Sequence, residues 1–210
     1  MTKAEITELV KGYLSGGSTT QDMMHKVDAR RLQLYIAAAY QDILYEVFRI
    51  STEGLSLYAR TYDGIAVAQD GTTDVYTATL PKPIIQFPGV AQGVRRISIE
   101  DETTLDFVPL DASEFENFSM LDAGNTTICD SIGYCLRDNL LVEFFNFPNS
   151  RSGDLLRMDL IIPFNEFDST DEVFLPSGKA SVLIQGVVSL LTGRPTVDLT
   201  NDNATKAEAK

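Results

Sequence analysis

Tryptophan is absent from the 210 residues, histidine occurs once and cysteine twice. The lack of tryptophan weakens a sugar-binding aromatic platform. Cys129 and Cys135, spaced C-x5-C, and His25 fall one short of a four-ligand zinc site built from cysteine and histidine alone. Buried thiols are the expected state of the cysteines. No apolar run reaches the ~20 residues that cross a bilayer. The best, residues 182–191, is broken by Gln185 and Gly186. The opening MTKAEITELV has two glutamates and no apolar h-region, so the expectation is synthesis in the cytosol. Basic residues are also scarce: 17 against 30 acids, a net charge of -13. Residues 1–60 hold 7 of each sign, so the excess lies in residues 61–210, with 10 basic and 23 acidic side chains. Such a surface repels phosphate and does not grip nucleic acid. The only adjacent arginines are Arg30-Arg31 and Arg95-Arg96. In a strand, Arg95 and Arg96 are expected on opposite faces, not in one patch.

What remains is an ordinary globular composition, 44% hydrophobic and 22% charged, long enough for one sizeable core. Thr2 and Glu5 have the spacing of a capping box. Ile6, Leu9, Val10, Tyr13 and Leu14 then share one face, which predicts a helix over 2–14, stopped by Ser15-Gly16-Gly17. A longer helix is predicted over 28–48, with Leu32, Ile36, Ala39, Ile43 and Val47 widened by Tyr35, Tyr40, Leu44 and Phe48. So wide an apolar stripe needs cover from more helix or from another subunit. From Leu55 to Phe174 short β-branched and aromatic runs alternate with turn residues. LSLYARTY, DVYTATL, VRRISIE, TLDFVPL, GYCLR, LLVEFF and LLRMDLIIPF read as strands of an antiparallel sandwich or barrel. Asp138-Asn139 marks a hairpin. Val182, Leu183, Gly186, Val187, Leu190 and Leu191 restore a helical period, which Gly193 and Pro195 end. The tail is polar. The fold expected is α+β: a helical bundle from residues 1–54 and 175–195, an inserted β-rich domain over 55–174, and a C-terminal tail over 196–210.

The sequence shows little chemistry. LPSGKAS resembles a phosphate loop, but Val173 stands where the first glycine belongs and Ala180 where the hydroxyl belongs. It reads instead as a strand, EVFL, handing over to a helix at Pro176-Ser177. The acidic runs Glu100-Asp101-Glu102 and Asp168/Asp171/Glu172 could supply a glycosidase pair, yet both sit beside turns, where solvated acids are common. Residues 198–203 carry oxygen ligands without the glycine and distal glutamate of a calcium loop. No catalytic residue, cofactor or metal is assigned.

The order of elements carries one further reading. TKAEITELVKGYL and ARRLQLYIAAAYQDILYEVF open the chain. LPKPIIQFPGVAQGVRRISIE enters a strand, and DLIIPFNEFDSTDEVFLPSGKASVLIQGVVSLLTGRPTVDLTNDN closes on a helix. This arrangement resembles the head-to-tail connector (adaptor or tail-tube ring) proteins of short-tailed bacteriophages, including ring proteins of crAss-like phages. The resemblance implies a homo-oligomeric ring of about twelve copies, with different surfaces meeting the two neighbours. It implies helices beneath the portal, a β domain facing the next tail or ring protein, and a C-terminal extension reaching the portal. Double-stranded DNA would pass through without tight binding, and no membrane would be involved. The protein would be made in the host bacterial cytoplasm and reside in the neck or tail of the virion. Arg30, Arg31, Arg95, Arg96, Asp198, Asn201 and Asp202 are the expected inter-subunit or portal contacts. The alternatives are a β-sandwich module binding a glycan or protein, and a hydrolase using Asp101, Asp171 and Glu172.

Overall fold

A computed structural model describes residues 1–15, 28–69, 75–89, 91–100, 106–111, 113, 131–137, 140–175 and 178–192. Three helices lie in it: α1 (Lys3–Ser15), α2 (Ala29–Ile50) and α3 (Lys179–Thr192). Between α2 and α3 run seven strands: β1 (Arg60–Gln69), β2 (Tyr76–Thr79), β3 (Val94–Ile99), β4 (Asp106–Pro109), β5 (Ser131–Leu136), β6 (Leu141–Phe145) and β7 (Leu155–Leu160). Their order is β3-β7-β1-β2-β6-β5-β4, and β3 and β4 approach each other to form a nearly closed barrel. Every ladder is antiparallel except β4 with β5. The expected α+β fold is therefore present, and its β part is a barrel. The hairpin expected at Asp138-Asn139 joins β5 to β6, which pair antiparallel; those two residues lie outside the described ones.

The barrel forms because its strands alternate. In β7, Leu156, Met158 and Leu160 are buried, and in β6 so are Val142 and Phe144. Period 2 places these residues on one face, which fills the interior. β1 is long enough to serve two sheets. Its first half pairs with β7 and its end with β2, with a bulge between Tyr62 and Ile65 where Gly64 takes φ +73°. A bulge bends the strand, and here it turns the barrel's corner.

Two expected strands take other forms. The residues Glu53–Tyr58 are a 3-10 helix that buries Leu55 and Tyr58, so LSLYARTY becomes strand only from Arg60. Its alternation fits the three-residue turn equally well, since residues i and i+3 share a face there. EVFL forms no ladder beyond a single bridge from Glu172 to Thr2. It runs between the helices and the barrel, where Phe174 packs edge-on against Tyr58 at 5.1 Å.

The helical layer explains the wide stripe on α2. Ala39 meets Gly186 of α3 so closely that a Cβ on Gly186 would lie 3.0 Å from the Ala39 Cβ. Phe48 stacks on Phe87 at 5.2 Å, Tyr45 meets the same ring at 5.4 Å, and Tyr40 packs on Phe164 at 5.7 Å. Gln33 donates to Thr7 Oγ1 at 3.0 Å and ties α2 to α1. The cover that α2 requires thus comes from within the chain: α3, α1, and the segments that carry Phe87 and Phe164. One continuous buried cluster runs through helices and barrel alike. Lys179, from the phosphate-loop look-alike, reaches back to Glu46 at 3.0 Å.

The cap on α1 is complete. Glu5 N donates to Thr2 Oγ1 at 3.2 Å and Thr2 N to Glu5 Oε2 at 2.9 Å, the reciprocal pair that the spacing predicts. Lys3 N and Ala4 N donate to the carbonyls of Asp171 and Ser169 at 3.0 and 3.1 Å. The amides that helix geometry leaves without partners are satisfied by the turn after β7.

Replacing Gly186 with valine should force α2 and α3 apart. The expected loss is about 1–3 kcal/mol, the usual cost of overpacking, read as a lower midpoint in thermal or urea denaturation of G186V.

Candidate functional site

The seam between β3 and β4 is where the barrel opens and where two of the expected contact residues come together. Its construction starts at residues 91–94. Gln92 adopts φ +45°, and Val94 N donates to Ala91 O at 2.9 Å, which closes a tight turn. Gly93 follows, and a Cβ there would sit 2.7 Å from Ile85 O and 3.0 Å from Ile161 O, so only glycine fits. β3 then enters its ladder irregularly: Val94 pairs with Leu160, and Arg96, not Arg95, pairs with Asp159.

A bulge places two residues opposite one and interrupts the regular alternation that the expectation for Arg95 and Arg96 assumed. Both arginines line a depression of about 300 Å³ at the seam, with Ser98, Asp106, Phe107 and Tyr134. Both also line a second depression of about 340 Å³ with Ser56, Thr61 and Asp159. Arg95 is half-buried and Arg96 exposed. Asp159, across the ladder from Arg96, is engaged by the Thr61 hydroxyl at 2.6 Å. Among the described residues six basic side chains have acid partners: Lys11, Arg60, Arg137, Arg151, Arg157 and Lys179. Arg95 and Arg96 make no ion pair with a described residue. The Nε of Arg95 is buried and meets no hydrogen-bond acceptor among them. Burial pushes the Tyr134 hydroxyl far above its ordinary range, a rise that the nearby Arg95 charge opposes, so the phenol stays protonated.

The other expected contacts are dispersed. Arg30 and Arg31 stand exposed on the first turn of α2, without an ion pair to a described residue. Asp198, Asn201 and Asp202 lie outside the described residues, as do Asp101, Glu102, His25 and Cys129. Cys135 is buried beside Leu110 and Phe145. No group of three metal-ligating acids, histidines or cysteines occurs among the described residues, and no described helix is long and apolar enough to cross a membrane.

Of the acids considered for hydrolysis, Asp171 is held by two contacts. Asp171 accepts from Arg60 Nη2 at 2.8 Å and from Asp168 N at 2.8 Å. The Arg60 guanidinium, and then the Asp168 amide, hold its carboxyl below the usual 3.8. The backbone of Glu172 bridges to Thr2, which leaves its carboxyl out of the contact. The missed signal at the seam was the proline- and glycine-bounded run FPGVAQG, which marks a turn but not the bulge beyond it.

No protein-family model matches this sequence, and none of the curated proteins is significantly similar to it.

D171N should destabilise the protein by about 1–2 kcal/mol near neutral pH. The charge-assisted bond sets the scale, and the 38% exposure of the Arg60 side chain reduces it. A carboxyl with a lowered folded value contributes in full above its ordinary value and loses that contribution as pH falls through the lowered one. The gap between wild type and D171N in urea denaturation should therefore be constant above about pH 5 and shrink below pH 4.

Proposed function

We propose that this chain is a structural virion protein of a bacteriophage: a homo-oligomeric ring between the portal and the tail, lining a channel for DNA. The observation that carries the reading is the placement of charge. In a chain with a net charge of -13, two arginine pairs, Arg30-Arg31 on the helical layer and Arg95-Arg96 on the barrel, make no ion pair with a described residue. A closed ring needs two different, complementary surfaces on each copy. Unpaired arginines on a surface rich in acids supply the attractive half of such contacts and set their register. The order of elements, two helices, a barrel and a closing helix, agrees with the connector resemblance.

The acid excess suits the channel. About twelve copies would carry on the order of 150 excess negative charges, which repel the DNA backbone from the wall. DNA leaving a head needs a passage without adhesion. The partners are then copies of the chain, the portal, and the next tail or ring protein. The helical layer with Arg30 and Arg31 would lie on the portal side. The site is the virion neck, after synthesis in the bacterial cytoplasm.

The test is electron microscopy of the protein mixed with its portal, together with native mass spectrometry of virion necks. A ring with axial density below the portal is expected. R30E/R31E should weaken assembly at least about tenfold, about 1.4 kcal/mol of lost attraction or gained repulsion, and leave the thermal midpoint unchanged because both side chains are exposed. Necks that lack the chain, or tight binding to duplex DNA at about 0.15 M salt, would overturn the reading.

A further inference from the structure

We infer that the seam depression is a carboxylate-binding notch, built from Arg95, Arg96 and Tyr134, which receives an aspartate or glutamate side chain of a neighbouring copy. The inference deepens the ring reading and rests on it for the source of the carboxylate. The chemistry of the notch does not.

Three observations converge on it. First, the Nε of Arg95 is buried without an acceptor. A buried donor left unsatisfied costs the protein its desolvation free energy, so native structures rarely keep one unless something meets it. Second, Arg96 also lines this depression, which has a volume of about 300 Å³, room for one acidic side chain. Paired guanidinium forks match the planar, two-oxygen geometry of a carboxylate. Third, Tyr134 lines the same depression, and its phenol, protonated at neutral pH as tyrosine ordinarily is, can donate.

Asp106 decides between anions. It lines the notch and has no ion pair with a described residue. A singly charged carboxylate between two arginines tolerates that neighbour better than a phosphate carrying up to two charges does. The acids are also at hand, since residues 61–210 of every copy hold 23 of them against 10 basic residues.

The experiment follows the Arg95 Nε–H resonance of the full, ¹⁵N-labelled chain during titration with N-acetylaspartate amide, N-acetylasparagine amide and inorganic phosphate. The expected result is a saturable shift with the aspartate compound and a response at least about tenfold weaker to the asparagine one, as the loss of a charge-assisted pair implies. Phosphate should bind more weakly than the carboxylate. R96A, which removes one fork at an exposed position and so leaves the fold intact, should weaken the aspartate response while the Arg95 signal stays observable. No saturable shift, an equal response to the asparagine compound, or tighter phosphate binding would overturn the notch. The source is read separately, from R96A mixed with the portal. Loss of the ring supports a neighbouring copy, and rings formed as in wild type overturn that source. If the wild type forms no ring, the connector reading fails while the titration still decides the notch.

Discussion

The segment that leaves β7 holds the two layers of this protein together. It runs through Phe164, which packs on Tyr40 of α2, and Phe167, whose carbonyl accepts from the Lys3 ammonium at 2.5 Å. It continues through the turn whose carbonyls receive the first amides of α1. Asp171 in that turn clasps Arg60 at the start of β1. A helix end, a strand start and an aromatic contact therefore depend on about ten residues whose one regular piece is the 3-10 turn Phe164–Glu166. Backbone hydrogen bonding there adds to the packing of Ile6, Val10 and Leu14, which α1 buries in the core, while Leu9 and Tyr13 face outward.

The arginine pair owes its position to the same economy of space. Gly93 lies against two carbonyls, Ile85 and Ile161, and Ile161 N returns a bond to Gly93 O at 2.8 Å. The chain enters β3 too close to β7 for a regular start, and the extra residue is accommodated as a bulge. The seam, its two depressions and its half-buried guanidinium follow from that crowding. The barrel is left open where charge gathers, and closed where Leu156, Met158 and Leu160 form its wall.

The helices were legible in the sequence because local rules specify them. Thr2 and Glu5 cap α1 as their spacing predicts, and the apolar period of α2 marks its buried face; on α3 the period finds Leu183 and Val187 but includes exposed Val182 and Leu190 and omits buried Ile184. The strands of residues 74–110 and 131–160 were legible for the same reason. What was not legible depends on contacts distant in sequence. Leu55 and Tyr58 fit a strand or a 3-10 turn equally well until α2 places them. EVFL has the composition of a strand, but β7 already has both its neighbours, β3 and β1, so no ladder remains for it there. The wide stripe on α2 indicates that cover is needed, and only the fold shows that Phe87, Phe164 and Gly186 provide it. At the candidate site, period 2 assumes a regular strand, and a single inserted residue between Val94 and Arg96 breaks it.

Strand order has a consequence for the order of synthesis. β3 has one ladder partner, β7, which emerges some sixty residues later. A nascent chain halted before residue 155 would hold the β1–β2 and β5–β6 hairpins but leave β3 unmoored, with its arginines in no fixed relation to each other. Only a chain translated through β7 displays the seam. A truncated product would therefore lack this surface.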